Sequence, residues 1–263
     1  MEVAGPGVEG LGVVVTGAGH GIGRALAQRM AAEGARVVVN DLDEAAVEAV
    51  ATEIGGIAAP GDAASEDGVT ALIETARDHL GRIDVYFANA GIDVGQGLDA
   101  PAEDWARSID VNVMGHVRAA QQLVPEWLET GGGRFVVTAS AAGLLTMLGS
   151  PTYSVTKHAA VGFAEWLSAT YGHRGVVVQV ICPQGVKTRM LDDAGPLTEL
   201  LSRDTALEPS DVADAVWEAL QDDRFLVLPH PEVAQYYALR ATDTDRWLAG
   251  MRKLQAKLDG AAS

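Results

Sequence analysis

The chain has 263 residues, 48% of them hydrophobic and 21% charged, which excludes a disordered or low-complexity polypeptide and fits one large domain. Its 36 acidic and 19 basic residues give a formal net charge of −17, and so acidic a surface repels phosphate backbones, which argues against a nucleic-acid partner held on a basic face. A single cysteine suits a reducing compartment, residues 1–10 show no secretory leader, and a cytoplasmic protein is expected.

Short β-branched runs alternate with longer helical patterns. Val13-Val14-Val15 is a strand, followed by Ile22, Leu26 and Met30 at helical spacing, and Gly34 ends that helix. Val37-Val38-Val39 marks a second strand before a helix over 44–54. A weak third strand at 56–60 precedes a helix over 66–80, and a fourth strand spans 83–88. Residues 102–129 read as two helices, the second bent at Pro125. Gly131-Gly132-Gly133 turns into a fifth strand at 134–139. A helix over 152–171, a sixth strand at 176–182, a helix over 210–222 and a short strand at 225–228 complete the alternation. Residues 135–156 carry no charge but include Ser140, Gly143, Gly149, Ser150 and Pro151. That composition fits a buried strand and loop, and no membrane span is expected.

The strands are continuous apolar runs, as in a parallel sheet covered on both faces. The expected fold is α/β, a doubly wound, mostly parallel, Rossmann-like sheet. One catalytic domain over residues 8–228 and a helical C-terminal extension over 229–263 is the simplest division. The extension holds Val233, Tyr236, Tyr237, Leu239, Trp247, Leu248, Met251 and Leu254 with five basic residues, and is expected to pack on the substrate side or on a neighbouring subunit. Cys182 reads as a buried thiol. Trp105, Trp127 and Trp166 read as core or subunit contacts, and no metal site is expected from six scattered histidines.

Thr16-Gly17-Ala18-Gly19-His20-Gly21-Ile22-Gly23 joins the first strand to the first helix. Such a loop lets a pyrophosphate approach the backbone, and the helix N-terminus offers free N–H groups and a partial positive charge. Asp41 ends the second strand, 18 residues past Gly23, where a carboxylate accepts both ribose hydroxyls of adenosine and repels a 2′-phosphate. With Leu42 beside it and no adjacent arginine or lysine, NAD is favoured over NADP. Asp62, after the third strand, faces the adenine amino group or caps a helix.

The Thr-Gly-x-x-x-Gly-x-Gly spacing resembles the short-chain dehydrogenase/reductase family. Further motifs agree in order: Asn89-Ala90-Gly91 after the fourth strand, Asn112 in Asp110-Val111-Asn112-Val113, Ser140 after the fifth strand, Tyr153-x-x-x-Lys157, and Pro183 with Thr188 after the sixth strand. Where the family has Pro-Gly, this chain has Pro183-Gln184-Gly185. The resemblance covers about residues 8–228. It implies a cofactor site built from Gly17, Gly19, His20, Gly21, Ile22, Gly23, Asp41, Asp62, Ala63, Asn89, Ala90 and Gly91. Tyr153, Lys157, Pro183, Gly185, Val186 and Thr188 complete that site.

The expected catalytic set is Asn112, Ser140, Tyr153 and Lys157. Tyr153 and Lys157 are four apart and share one helix face, and Ser150-Pro151 supplies an N-cap serine and a first-turn proline. A free tyrosine titrates near 10, and a nearby ammonium, the oxidised nicotinamide and the helix N-terminus all favour its phenolate. Tyr153 is expected to exchange the alcohol proton as hydride moves, Ser140 to hold the substrate oxygen, and Lys157 to lower the tyrosine and bind the ribose. The resemblance implies that Asn112 supports a water leading from the lysine to solvent.

Ala142, Leu144, Leu145, Met147, Gln184, Met190 and Leu191 are the expected substrate lining. They suggest a small hydrophobic secondary alcohol or ketone as substrate, and the resemblance implies a homodimer or homotetramer. Two alternatives stay open: a biosynthetic ketoreductase using NADPH, and a non-catalytic NAD-binding sensor or scaffold. A hydrolase has little support, since Ser140 lacks a Gly-x-Ser-x-Gly setting.

Overall fold

The computed structural model describes residues 7–192 and 206–261. Their strands are β1 (Gly12–Thr16), β2 (Arg36–Asn40), β3 (Ile57–Ala58), β4 (Val85–Ala88), β5 (Gly133–Thr138), β6 (Val176–Ile181) and β7 (Leu226–Val227). They form one parallel sheet in the order β3-β2-β1-β4-β5-β6-β7. The chain winds outward from β1 to β3, then returns to β4 and winds the other way. The carboxyl ends of β1 and β4 therefore flank a crevice, where doubly wound sheets bind ligands.

Successive residues of a strand point to opposite faces. Val13 and Val15 enter a core with α1 (Gly21–Ala32), α2 (Glu44–Ile54) and α8 (Pro209–Leu220). Val14 enters a second core with α3 (Glu66–Leu80), α5 (Gly115–Thr130) and α6 (Pro151–Tyr171). Trp127 on α5 is buried there and donates its indole N–H to the Ile83 carbonyl at 2.7 Å. This two-sided burial is why the strands read as unbroken valine runs.

One stretch differs from the sequence expectation. α4 (Ala102–Ile109) passes into α5 through one π-helical turn, Asp110–Met114, and α5 continues through Pro125 to Thr130. The loop after β5 opens, as expected, without regular structure beyond one 3₁₀ turn, Ala141–Gly143. Past α7 (Arg189–Asp192) and β7, the C-terminal region is helical: α9 (Glu232–Thr242) and α10 (Thr244–Ala261). Val233 of α9 is fully buried in the core on the α6 face. Among the described residues, no helix is long and apolar enough to cross a membrane.

Candidate active site

The loops after β1, β2, β4, β5 and β6 open onto one cavity of about 1610 Å³. After β1, Gly17, His20, Gly21, Ile22 and Gly23 line it. A Cβ on Gly23 would stand 2.1 Å from the Gly17 carbonyl oxygen and 2.5 Å from Asn89 Nδ2, so only glycine lets the loop fold back on its helix. His20 occupies the N-cap position of α1 without a side-chain cap, which leaves the first-turn N–H groups facing the crevice for an anion.

Asn89 ties this loop to β4. Its Nδ2 donates to the Thr16 carbonyl at 2.8 Å, and the N–H groups of Asn89 and Ala90 both donate to Thr16 Oγ1. Asp41 lines the cavity at the end of β2, where its Oδ2 accepts the Gly19 N–H at 3.0 Å. The helix cap of α2 is Asp43, not Asp41, and that of α3 is Ser65, not Asp62. Asp62 accepts the Ala64 N–H at 2.9 Å and lines the cavity with Ala63. Pro183, Gly185, Val186 and Thr188 line it from the loop after β6. Free N–H groups at one end and a carboxylate beyond them match the pyrophosphate and ribose of a dinucleotide, so the chain's own groups fit that cofactor. Gly19 lies outside the main cavity, with its N–H held by Asp41.

Ser140, Tyr153 and Lys157 converge on the same cavity. Ser140 Oγ accepts the Ala142 N–H at 3.1 Å and is hydrogen-bonded to the Tyr153 hydroxyl. Lys157 Nζ donates to the Thr138 carbonyl at 2.8 Å and lies 5.5 Å from the Tyr153 ring centre. A Cβ on Gly91 would reach within 3.1 Å of Lys157 Nζ and 3.2 Å of Asn112 Oδ1, so glycine clears that approach. Asn112, in the π turn, lies behind the cavity wall. Its Oδ1 accepts the Ile92 N–H at 2.8 Å, and its Nδ2 donates to the Ile92 carbonyl and to Thr156 Oγ1. Its side chain thus clamps the β4 loop to α6.

Burial pushes the Tyr153 phenol up to about 12, against the Ser140 hydrogen bond, which lowers it. Burial also pushes Lys157 down to about 8. The phenolate expected from sequence is therefore disfavoured in the free protein, because the low-dielectric setting outweighs the hydrogen bond.

The substrate side departs from expectation at two residues. Leu144 is 1% exposed and packs in the core, because the 3₁₀ turn directs it inward, away from the cavity. Ser150 precedes α6, but its hydroxyl donates to Asp93 Oδ1 instead of capping the helix. Ala142, Leu145, Met147, Gln184, Met190 and Leu191 do line the cavity. The Gln184 N–H donates to His230 Nδ1 at 3.1 Å. Sequence reasoning missed Asp93, whose carboxyl lines the cavity near Tyr153 and is raised by burial. It also missed Arg240, whose partners all stand more than 80 residues away or on the next helix.

The family model for short chain dehydrogenases matches residues 12–197. The 1-deoxy-11-beta-hydroxypentalenate dehydrogenase of Streptomyces exfoliatus is 38% identical over 228 residues, 83% of this chain and 82% of that protein. The meso-2,3-butanediol dehydrogenase of Serratia marcescens is 34% identical over 220 residues, 80% of this chain and 87% of that protein. A short chain dehydrogenase/reductase from Burkholderia phymatum, solved in complex with NAD, superposes with a TM-score of 0.84 at 30% identity, covering 91% of this chain and 96% of that one. The chain belongs to the short-chain dehydrogenase/reductase family, the NAD(P)-dependent oxidoreductases of CH–OH groups.

Proposed function

We propose that this chain interconverts a hydrophobic secondary alcohol and its ketone, with NAD as cofactor and Tyr153 as acid and base. The observation that carries the reading is the convergence of Ser140, Tyr153 and Lys157 on the cavity that also holds the β1 loop and Asp41. Bound NAD supplies the hydride acceptor. Ser140 Oγ holds the substrate oxygen beside the phenol. Tyr153 Oη takes the hydroxyl proton as the C–O bond becomes a carbonyl, and returns it in the reverse direction. Lys157, anchored on Thr138, brings a positive charge within 5.5 Å of the Tyr153 ring centre, and this charge and a cationic ring both favour the phenolate that burial opposes. Asp41 favours NAD, since a 2′-phosphate would meet its charge. The relatives' names fit an alcohol substrate, and the apolar lining around Leu145, Met147 and Met190 fits a hydrophobic one.

A screen of NADH formation from secondary alcohols tests the reading. Tyr153→Phe is expected to bind NAD with unchanged Kd and to lose at least ~10²-fold in kcat. Turnover near the wild-type rate in that variant overturns the role given to Tyr153. The same assay run with NADP reads the cofactor preference.

A further inference from the structure

Arg240, near the end of α9, fixes how the C-terminal helices meet the site. Its Nη1 donates to the Leu144 carbonyl, on the segment that follows Ser140. The same nitrogen lies 2.9 Å from Nε2 of His158, whose Nδ1 faces the Ser154 carbonyl at 2.8 Å on α6. The Nδ1 proton on His158 leaves Nε2 free to accept from the guanidinium. The guanidinium also stands 5.3 Å from the centre of the Trp247 ring on α10. One side chain thus ties α9 and the start of α10 to the wall beyond Ser140 and to the helix bearing Tyr153 and Lys157. α10 therefore stands beside the cavity wall that follows Ser140.

What α10 presents there is apolar, through Trp247, Met251 and Leu254, and cationic, through Arg246 and Lys253. Seven residues are two helical turns, which sets the two cations on one face about 10 Å apart. Eight other Arg and Lys residues pair with carboxylates. Among the described residues that line the cavity, Arg107, Lys157, Arg189, Arg246 and Lys253 have no such partner, and of these Arg246 and Lys253, both exposed at its rim, stand on α10 with its apolar side chains. The carboxylates along the cavity are engaged elsewhere: Asp93 by Ser150, Asp110 by Arg118, Asp62 by the Ala64 N–H and Asp41 by the Gly19 N–H. In a chain of net charge −17, two unpaired cations beside an apolar wall are the complement of an anion with an apolar body.

We infer that the substrate is an amphipathic carboxylate: an apolar alcohol or ketone whose carboxylate, remote from the reacting carbon, meets Arg246 and Lys253. This rests on the proposed alcohol–ketone chemistry. That chemistry is read by NADH formation and this inference by binding, so either fails alone.

The test titrates decanoate, decanol and decyltrimethylammonium calorimetrically into NAD-saturated protein. Decanoate is expected to bind at least about fivefold more tightly than decanol, decyltrimethylammonium weakest, with the preference fading at high salt. The double variant R246Q/K253Q is expected to erase the preference and leave the Kd of NAD unchanged. Decanol binding as tightly as decanoate overturns the inference, as does a preference that survives in the double variant or an absence of decanoate binding. A matching loss of NAD affinity in the double variant also overturns it, since it assigns the two cations to the cofactor.

Discussion

At the scale of single residues, the site sets two buried groups against their own ionisation. Lys157 is pushed down to about 8 by burial, whereas a lysine in the unfolded chain titrates near 10.4. Between about pH 8 and 10 the unfolded chain holds a proton at this position that the native protein has released, so this lysine's contribution to stability rises with pH there. The unfolding free energy of the cofactor-free wild type, minus that of Lys157→Met, is expected to increase across that window. A flat difference would mean that the ammonium is solvated in the native state. The Tyr153–Lys157 pair was legible because a spacing of four is a helix face. Asp93 and Arg240 were not, because Ser150 is 57 residues from Asp93 and His158 is 82 from Arg240, and nothing local in the chain announces such a pairing. The environment of Tyr153 was half legible: the helix start and the neighbouring lysine could be read from spacing, but the burial that opposes them is a property of the assembled cavity.

Elements were legible where local chemistry and burial agree. Valine runs gave the parallel strands, and Gly34 does follow the end of α1 in the left-handed region, at φ 86°. The π turn at Asp110–Met114 escaped notice because one added residue per turn leaves no mark in composition. It places Asn112 where its amide reaches both Ile92 and Thr156. Leu144 escaped for a related reason: in a short irregular segment an apolar side chain has no periodicity to say which way it points. The join of β1 to α1 is the element whose sequence is most constrained, since the Gly23 Cα lies against backbone. Gly23→Ala places a methyl 2.1 Å from the Gly17 oxygen and 2.8 Å from its carbon, atoms that cannot swing aside. A loss of about 1–3 kcal/mol in unfolding free energy is expected from such overpacking. A weakening of at least tenfold in NAD affinity should accompany it if, as proposed, the crowded loop is the one that holds the cofactor. Calorimetric titration with NAD beside a denaturant melt separates the two effects, and unchanged affinity would show that the loop does not hold the cofactor.

At the scale of the whole molecule, the sheet's two cores and the C-terminal wall of the cavity are built from different parts of the chain. Both cores lie against the sheet, and among the described residues the C-terminal region enters them through α9, where Val233 is fully buried. Among the described residues of α10 no side chain is buried, although its inner face lines the cavity. A chain ending after Thr242 keeps both cores, the β1 loop, Asp41, Ser140, Tyr153 and Lys157. It is expected to melt within a few degrees of the full chain, to bind NAD with unchanged Kd, and to show a raised KM for apolar alcohols because one cavity wall is gone. A chain ending before Glu232 also loses Val233 and Arg240. The buried valine alone is worth about 1.5–3 kcal/mol, and the wall beyond Ser140 loses its tie to the C-terminal helices, so this shorter chain should melt well below the first. Thermal melts of the two truncations, with NAD titrations and a KM series on the first, decide whether the helical tail belongs to the fold or to the cleft. Loss of NAD binding in the chain ending after Thr242 would show that α10 supports the cofactor half as well, and an unchanged KM would remove it from the substrate wall.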